Sequence, residues 1–587
     1  MIHYRISTAA LQAHLFEIQL TVPAPDASQR FSLPVWIPGS YMVREFSRHL
    51  GPITARQGRR ELPVRQLAKN EWQVDGLGKG ALVLSYRVYA FDNSVRCAYL
   101  DAQRGFFNAS SLCLQVQGAE GRPHQIQLAD LPRAWRVATS MAPFGGSGPK
   151  HRYQAADYDE LLDHPFELGE FWRGEFQARG VPHEFVVAGA LPVFDGERLL
   201  RDAQRICEEQ IDFWHAQGRK REAPPFERYV FLLNASEDGY GGLEHRASTA
   251  LIAARRDLPR LGQTETSDGY VRLLGLISHE YFHTWNVKRL RPRDFARFDY
   301  RQENYTELLW FFEGFTSYYD DLFLVRAGLI DEARYLKLLT GNVNNVLSGP
   351  GRLQQSVAQS SFEAWTKYYR QDENSPNSIV SYYVKGSLLA LCLDLSLRGS
   401  GVKGASLDAL MRKLWRETPD RLLDEAQVLA AVEALGSAEL AAQLRDWVHG
   451  CEDLPLAPLL EKFGVQWAAD KLGLAQRLGL RVNEGNGVLS VKQVLSGSAA
   501  EAAGLHAGDE LIACNGWRLR KLDEAVLSLS PRAPQQMDLL VGREQRVLAL
   551  PLRLPLDRPA GAPVLLSLAD KAPARLQSLR RAWLRGG

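Results

Sequence analysis

Residues 271–287 read VRLLGLISHEYFHTWNV, and inside them His279-Glu280-Tyr281-Phe282-His283 sets two imidazoles four positions apart with a carboxylate beside the first. On a helix, positions i and i+4 share a face, so both rings can reach one metal ion. Glu280 then points toward the open side of that ion, where it takes a proton from water. The preceding run, VRLLGLIS, is apolar enough for a buried helix, which a dry metal site requires and a solvated helix face does not. The chain holds 13 His and 68 acidic residues. At that composition an H-[DE]-x-x-H pattern arises by chance only about 0.03 times per chain.

Two histidines leave a zinc site incomplete, because a hydrolytic zinc has three protein ligands and a water. Downstream, LLWFFEGFTSYYDD places Glu313 among Trp310, Phe311, Phe312, Phe315, Tyr318 and Tyr319. A carboxylate in such surroundings is costly to ionise unless a cation balances it. Glu313 is therefore the expected third ligand. Glu303 and Glu307 are its rivals in more polar surroundings.

HExxH followed by Trp310-Phe311-Phe312-Glu313-Gly314-Phe315 resembles the gluzincin metallopeptidases, whose third ligand is the Glu before Gly-Phe. The gap here is longer than usual and includes RPRDFARFDYRQENY, residues 291–305. A longer gap of this kind is similar to the glycyl aminopeptidase family. PVWIPGSYMVREFSRHL, from Pro34 to Leu50, looks like the N-terminal signature of that family. The resemblance spans nearly the whole chain.

The same resemblance assigns two further segments. In EDGYGGLEHRAST, Gly241, Gly242, Leu243, Glu244 and His245 resemble the G-x-M-E-N segment of related aminopeptidases, with Leu for Met and His for Asn. There the segment runs along the substrate as an edge strand, and its Glu holds the free α-ammonium. An exopeptidase must count from the N-terminus, and one fixed carboxylate near the metal does that. In SIVSYYVKGSLLALCLDLSLR, Tyr383-Val384-Lys385-Gly386 is similar to the P-Y-E-K-G box, whose Tyr donates to the developing oxyanion. Tyr382 is the adjacent alternative.

At 587 residues several domains are expected. The hydrophobic fraction of 45% and charged fraction of 24% are ordinary for a globular protein, and a net charge of +2 gives no electrostatic reason to expect nucleic-acid binding. No apolar run reaches the length of a membrane span, and the opening MIHYRISTAALQAHLFEIQLTV reads as a β-hairpin and not as a signal peptide. A cytoplasmic location is expected. Six scattered cysteines without a C-x-x-C pair fit reduced thiols.

The expected architecture is multidomain α+β. Residues 1–170 form an all-β domain, with LFEIQLTV, WQVDG, ALVLSYRVYAF, SLCLQV and HQIQLAD as strands and the loop APFGGSGPK near its end. Within it FDNSVRCAYLDAQRGFFNAS, residues 91–110, is rich in aromatics and charges and either packs as an ordinary loop or approaches the active site. Residues 171–464 are expected to resemble the thermolysin-like zinc catalytic domain, a sheet with an edge strand beside a helical zinc site. Residues 465–556 look like a PDZ domain, on Ala503-Gly504-Leu505, Gly508-Asp509 and Asn515-Gly516, with Leu478-Gly479-Leu480 as the loop for a peptide C-terminus. PLRLPLDRPAGAP reads as a linker, and residues 557–587 as a tail whose RLQSLRRAWLRGG forms a solvated basic helix.

The sequence thus points to a zinc aminopeptidase. His279, His283 and Glu313 hold Zn2+, Glu280 is the base and Tyr383 the oxyanion donor. Glu244, with Gly241 and Gly242, binds a peptide with a free N-terminus. The resemblance implies a preference for N-terminal Gly or Ala. An endopeptidase recruiting through its PDZ domain and an inactive peptide-binding adapter are the alternatives.

Overall fold

The computed structural model describes residues 1–145, 150–217, 220–529, 536–555, 557–559, 561–569 and 571–586. Residues 146–149 of the expected loop APFGGSGPK lie outside the described residues, as do two positions of the expected linker, 556 and 560. The chain forms two compact units, residues 1–305 with 418–423, and residues 306–417 with 424–587. The boundary expected at 171 falls inside the first unit, and the expected catalytic segment contributes to both.

The first unit begins with the hairpin Ile2–Ala10 and Leu15–Val22, paired antiparallel with Ile6 opposite Ile18. In LFEIQLTV the residues Phe16, Ile18, Leu20 and Val22 all face inward, as period-two alternation requires. The hairpin sits in an eight-stranded sheet that also contains His124–Ala129 and Leu82–Tyr89. SLCLQV departs from expectation. Ala109–Leu112 is a buried helical turn, and only Gln115–Val116 is strand. Ser110 and Ser111 are buried together with Leu112, so the segment has no outward face for a strand to present.

A five-stranded sheet follows, in the order Trp172–Ala178, Val181–Ala188, Tyr229–Ser236, Ser248–Ala254 and Tyr240–Glu244. Its three inner strands are parallel and its two outer strands pair antiparallel. YVFLLNAS at the centre is buried at every position, the pattern of a strand covered on both faces. Tyr240–Glu244 lies at the free edge.

The HExxH helix spans Asp268–Phe282. Ser267 caps it by accepting from the Tyr270 N–H, and Asp268 complements its positive end. Tyr281, within the motif, points away from the two histidines into the sheet. Its ring packs on Tyr229, Phe231 and Trp285, and its hydroxyl is 2.9 Å from His183 Nε2. Gln210 donates to the Ser278 carbonyl (2.8 Å), and Trp285 Nε1 donates to His215 Nε2 (2.8 Å). Burial pushes His183 and His215 down to about 4, so both rings stay neutral and His215 remains an acceptor at neutral pH.

The N-terminal signature and the insertion meet. Val35 N–H donates to the Tyr300 carbonyl, Trp36 Nε1 donates to the Asp299 carbonyl (2.9 Å), and Trp36 packs on Phe298 and Tyr41 on Phe295.

The second unit is built mainly of helices, among them Gly314–Arg326, Glu332–Leu347, Val384–Gly399, Leu407–Glu417 and Ala438–His449. The PDZ module packs Leu474, Leu478, Leu489, Val491, Leu511 and Met537 into its own core. Val465–Ala469, expected to open that module, pairs instead with Val564–Leu568, and Asp470 N–H donates to the Pro563 carbonyl (3.0 Å). The module is thus inserted between two paired strands.

The tail helix, Ala574–Arg585, is not solvated as expected. Trp583 and Leu584 are buried; Trp583 Nε1 donates to the Tyr318 hydroxyl (2.9 Å), and Arg398 donates to the Ala582 carbonyl (2.8 Å). Behind this contact lies a buried charge network in which Arg398 bridges Asp394 and Asp408, and Arg326 also pairs with Asp408. No helix among the described residues is long and apolar enough to cross a membrane.

These contacts predict opposite outcomes for two deletions. Replacing the PDZ module, residues 474–554, with a short flexible linker should leave the thermal midpoint within a few degrees. Truncation after residue 464 removes the tail and strips partners from buried groups, at about 3–5 kcal/mol. It should lower the midpoint by roughly 10 °C or more. Differential scanning calorimetry of both proteins checks this.

Candidate active site

In the first unit, the C-terminal end of the HExxH helix faces the edge strand Tyr240–Glu244. His283 Nδ1 is 2.8 Å from the Asn286 carbonyl, which can only accept, so the proton sits on Nδ1 and the lone pair is on Nε2. His279 Nε2 lies 3.1 Å from that atom. Two nitrogens bound to one tetrahedral zinc at about 2.0–2.1 Å would be separated by roughly 3.3 Å. The pair therefore fits a shared metal.

Glu280 turns toward the edge strand. A Cβ built on Gly242 would lie 2.1 Å from Glu280 Oε1, so only glycine lets the carboxylate and the strand approach this closely. Glu244 is two positions along the same strand and therefore projects on the same face. Glu244, Glu280 and His283, all buried, offer donor atoms within 4.8 Å of one another. Two buried carboxylates this close repel each other, and a cation beside them relieves the repulsion.

Three residues that the sequence did not single out hold this arrangement. Gly39, within the N-terminal signature, presses its backbone on the Glu244 carboxylate; a Cβ there would lie 2.4 Å from Oε2. Asp163 accepts from the Arg246 N–H (3.0 Å) and pairs with Lys288 (2.7 Å). Burial acts to raise the Asp163 pKa, but Lys288, His245 and Arg246 outweigh it and hold the group well below the usual carboxylate range. Asp163 thereby ties the strand beyond Glu244 to the chain beyond His283. Arg96 donates to the Gly242 carbonyl (3.3 Å), so the segment 91–110 does approach the edge strand. Of these, Gly39 and Arg96 lay in segments that the sequence marked, the N-terminal signature and the stretch rich in aromatics and charges, and Asp163 had no signal.

Beside Glu244 a cavity of about 30 Å³ has an aromatic wall of Trp36, Tyr41, Phe295 and Phe298 and is also lined by Gly39 and by the cations Arg246, Lys288 and Arg291. It has room for little more than a water.

In the second unit, Glu313 is buried at the junction of the helices Leu309–Phe312 and Gly314–Arg326. Glu307 is exposed and Glu303 half-buried, and neither belongs to a group of three metal-capable donors among the described residues. A Cβ on Gly314 would lie 2.6 Å from Gly386 Cα. The glycine of E-G-F and the glycine of Y-V-K-G thus touch, and this brings Glu313 and Tyr383 into one neighbourhood. Burial, reinforced by the Glu313 carboxylate and three neighbouring tyrosines, holds the Tyr383 hydroxyl well above its usual pKa, so it stays a donor. Its hydroxyl is 3.3 Å from that of Tyr369. Tyr382 is fully buried whereas Tyr383 is half-buried, so Tyr383 is the more accessible of the two.

Residues 3–170 match the Peptidase M61 N-terminal domain, residues 272–389 match M61 glycyl aminopeptidase, and residues 469–541 match the PDZ domain. Among solved structures, an aminopeptidase N family protein from Idiomarina loihiensis is similar over 100% of both chains, with 38% identity and a TM-score of 0.92. An M1 zinc metallopeptidase from Deinococcus radiodurans shares 15% identity over 78% of this chain and 94% of its own, with a TM-score of 0.47. No curated protein matches.

The close approach of strand and carboxylate gives a direct test. Gly242→Ala should displace Glu280 without removing a histidine. Turnover should fall by about 10²–10⁴-fold, the contribution of a positioned base. Bound metal, measured by atomic absorption, should be unchanged. Activity within threefold of wild type would show that Glu280 has no fixed place against the strand.

Proposed function

The chain belongs to the M61 glycyl aminopeptidase family, and on that premise we propose that it is a zinc aminopeptidase that releases small N-terminal residues, Gly or Ala, from peptides. His279, His283 and Glu313 are the proposed ligands. Imidazole and carboxylate donors suit zinc. Zinc bound there supplies Lewis-acid polarisation of the scissile carbonyl and makes water more acidic. Glu280 takes the proton of the attacking water and passes it to the leaving amine. Tyr383, kept protonated, donates a hydrogen bond to the oxyanion.

The observation that carries the exopeptidase reading is the spacing of Glu244 and Glu280. Their oxygens lie within 4.8 Å. An extended chain advances about 3.3–3.6 Å per residue. A carboxylate that grips the α-ammonium so near the base leaves room for one residue before the scissile bond. The ammonium is also the cation that two adjacent buried carboxylates call for. Gly241 and Gly242 keep side chains away from the peptide beside them. The aromatic wall of Trp36, Tyr41, Phe295 and Phe298 supports a small first side chain. The PDZ module is the proposed site for a peptide C-terminus. In it Gly479 N–H already caps the preceding helix, so the nest would draw on the backbone that follows.

Glu244→Ala should lower kcat/KM on a free dipeptide roughly ten- to a hundredfold, the loss of a charge-assisted hydrogen bond of about 1.5–3 kcal/mol. An N-acetylated dipeptide has no ammonium to lose and should respond far less. Equal fractional losses on the two substrates would return the protein to the endopeptidase reading. Phe298→Ala opens the aromatic wall at its half-buried member. It should raise kcat/KM for a leucyl relative to an alanyl dipeptide, by about tenfold, since a methylene in an apolar pocket contributes roughly 1–3 kcal/mol. An unchanged ratio would remove this wall from the account of specificity.

A further inference from the structure

Among the described residues Arg96 is a cation without an anionic partner, at the edge where the substrate would lie. Its guanidinium makes a single hydrogen bond among the described residues, to the Gly242 carbonyl, and its Nε is buried without any partner. No carboxylate among the described residues pairs with it. A half-buried guanidinium left so is unusual, because desolvating the charge costs free energy that an anion ordinarily offsets.

The loop that carries it is held firmly. Asn93 accepts from Arg104 and from Asn234 of the central strand, both at 2.9 Å, and Ser94 N–H donates to Asp92 (2.9 Å). Arg104 in turn forms a buried pair with Glu167. Arg96 is thus placed by the catalytic sheet and does not sweep freely.

The ladder shows which way the strand's polar groups point. His245 N–H donates to the Ser248 carbonyl (2.9 Å). Bonded pairs alternate along an antiparallel ladder, so Leu243–Ala250 and Gly241–Ile252 bond inward. Gly242 and Glu244 then turn their N–H and C=O toward the open edge. Arg96 takes the outward carbonyl of Gly242. It stands where an added peptide strand would otherwise continue.

A peptide whose ammonium is held at Glu244 can follow this strand only toward Gly242. The two positions are roughly 7 Å apart along the strand, the length of about two extended residues. We propose that Arg96 binds the free C-terminal carboxylate of a di- or tripeptide, so that Glu244 and Arg96 together measure both ends of a short zwitterionic substrate. The proposal rests on the aminopeptidase reading of Glu244 and gives it a substrate class. A second side chain reading the far end selects length, which a lone ammonium site does not do. The guanidinium fork suits a carboxylate, to which it can donate two parallel hydrogen bonds while releasing the Gly242 carbonyl.

The experiment compares Ala-Ala with Ala-Ala-amide on the zinc-loaded full-length protein, wild type, Arg96→Gln and Arg96→Lys, with release of free alanine as the readout. Wild type should favour the acid over the amide by ten- to a hundredfold in kcat/KM, mostly through KM. Arg96→Gln should lose that preference and handle the two peptides within about threefold of each other, and Arg96→Lys should keep part of it. Two results overturn the proposal: a wild type indifferent to the amide, or an Arg96→Gln variant that loses equally on both peptides, as a purely structural arginine would. The wild-type comparison is decisive even if a variant fails to fold. Release of alanine from neither peptide by the wild type would instead overturn the aminopeptidase reading itself.

Discussion

The contact between Gly242 and Glu280 is the constraint on which the rest of the site depends. A base must be held against the peptide it serves, and the absence of a Cβ at Gly242 lets the proposed base, Glu280, reach the edge strand. That contact is useful only if helix and strand are both immobile. The helix is fixed from behind by Tyr281, buried among Tyr229, Phe231 and Trp285 and bonded to His183, and by Gln210 on Ser278. The strand is fixed by its neighbour Ser248–Ala254 and, past Glu244, by Asp163. The histidines and Glu280 therefore occupy one side of a helix whose other side is part of the core.

The second unit solves a related problem with glycine on both partners. Gly314 and Gly386 allow two helices to approach at the level of Glu313 and Tyr383. The glycines of E-G-F and Y-V-K-G are thus packing residues that position the chemistry beside them. The same helices are closed at their far side by the network of Arg326, Asp394, Arg398 and Asp408, into which the tail helix inserts Trp583. Charged groups buried so completely persist only while every partner is present, which explains why the last residues of the chain belong to the helical body.

What could be read in advance follows the range of the interactions. The HExxH helix, the alternating strands of the first 170 residues and the PDZ module rest on local periodicity and turn residues, and these were legible. The placement of Glu244 was legible through its motif. Gly39, Asp163 and Arg96 act across long separations in the chain, and no local pattern marks the partner of a lone glycine, aspartate or arginine. SLCLQV has the alternation of a strand but folds as a turn, because burial on all sides overrides propensity. The tail misled for a similar reason. Its arginines suggest a solvated helix, yet two adjacent apolar residues, Trp583 and Leu584, suffice to dock it, and the arginines contact other parts of the same unit, as Arg580 does with Glu332.

The division of labour within the first unit follows from this packing. The HExxH helix carries two of the proposed ligands and the proposed base, the sheet carries Glu244, and both elements are locked in the core. The elements proposed to meet the substrate's ends come from elsewhere in the chain. Gly39 and Trp36 come from the N-terminal signature, Phe295 and Phe298 from the insertion, and Arg96 from a loop of the N-terminal region. The signature and the insertion brace each other through Trp36 on Asp299 and Val35 on Tyr300, so neither can wall the pocket alone. A buried carboxylate at Glu244 and an unpaired guanidinium at Arg96 are each unfavourable by themselves in a partly desolvated groove. A ligand with an ammonium at one end and a carboxylate at the other would relieve both at once, which is the physical basis of the proposed substrate class.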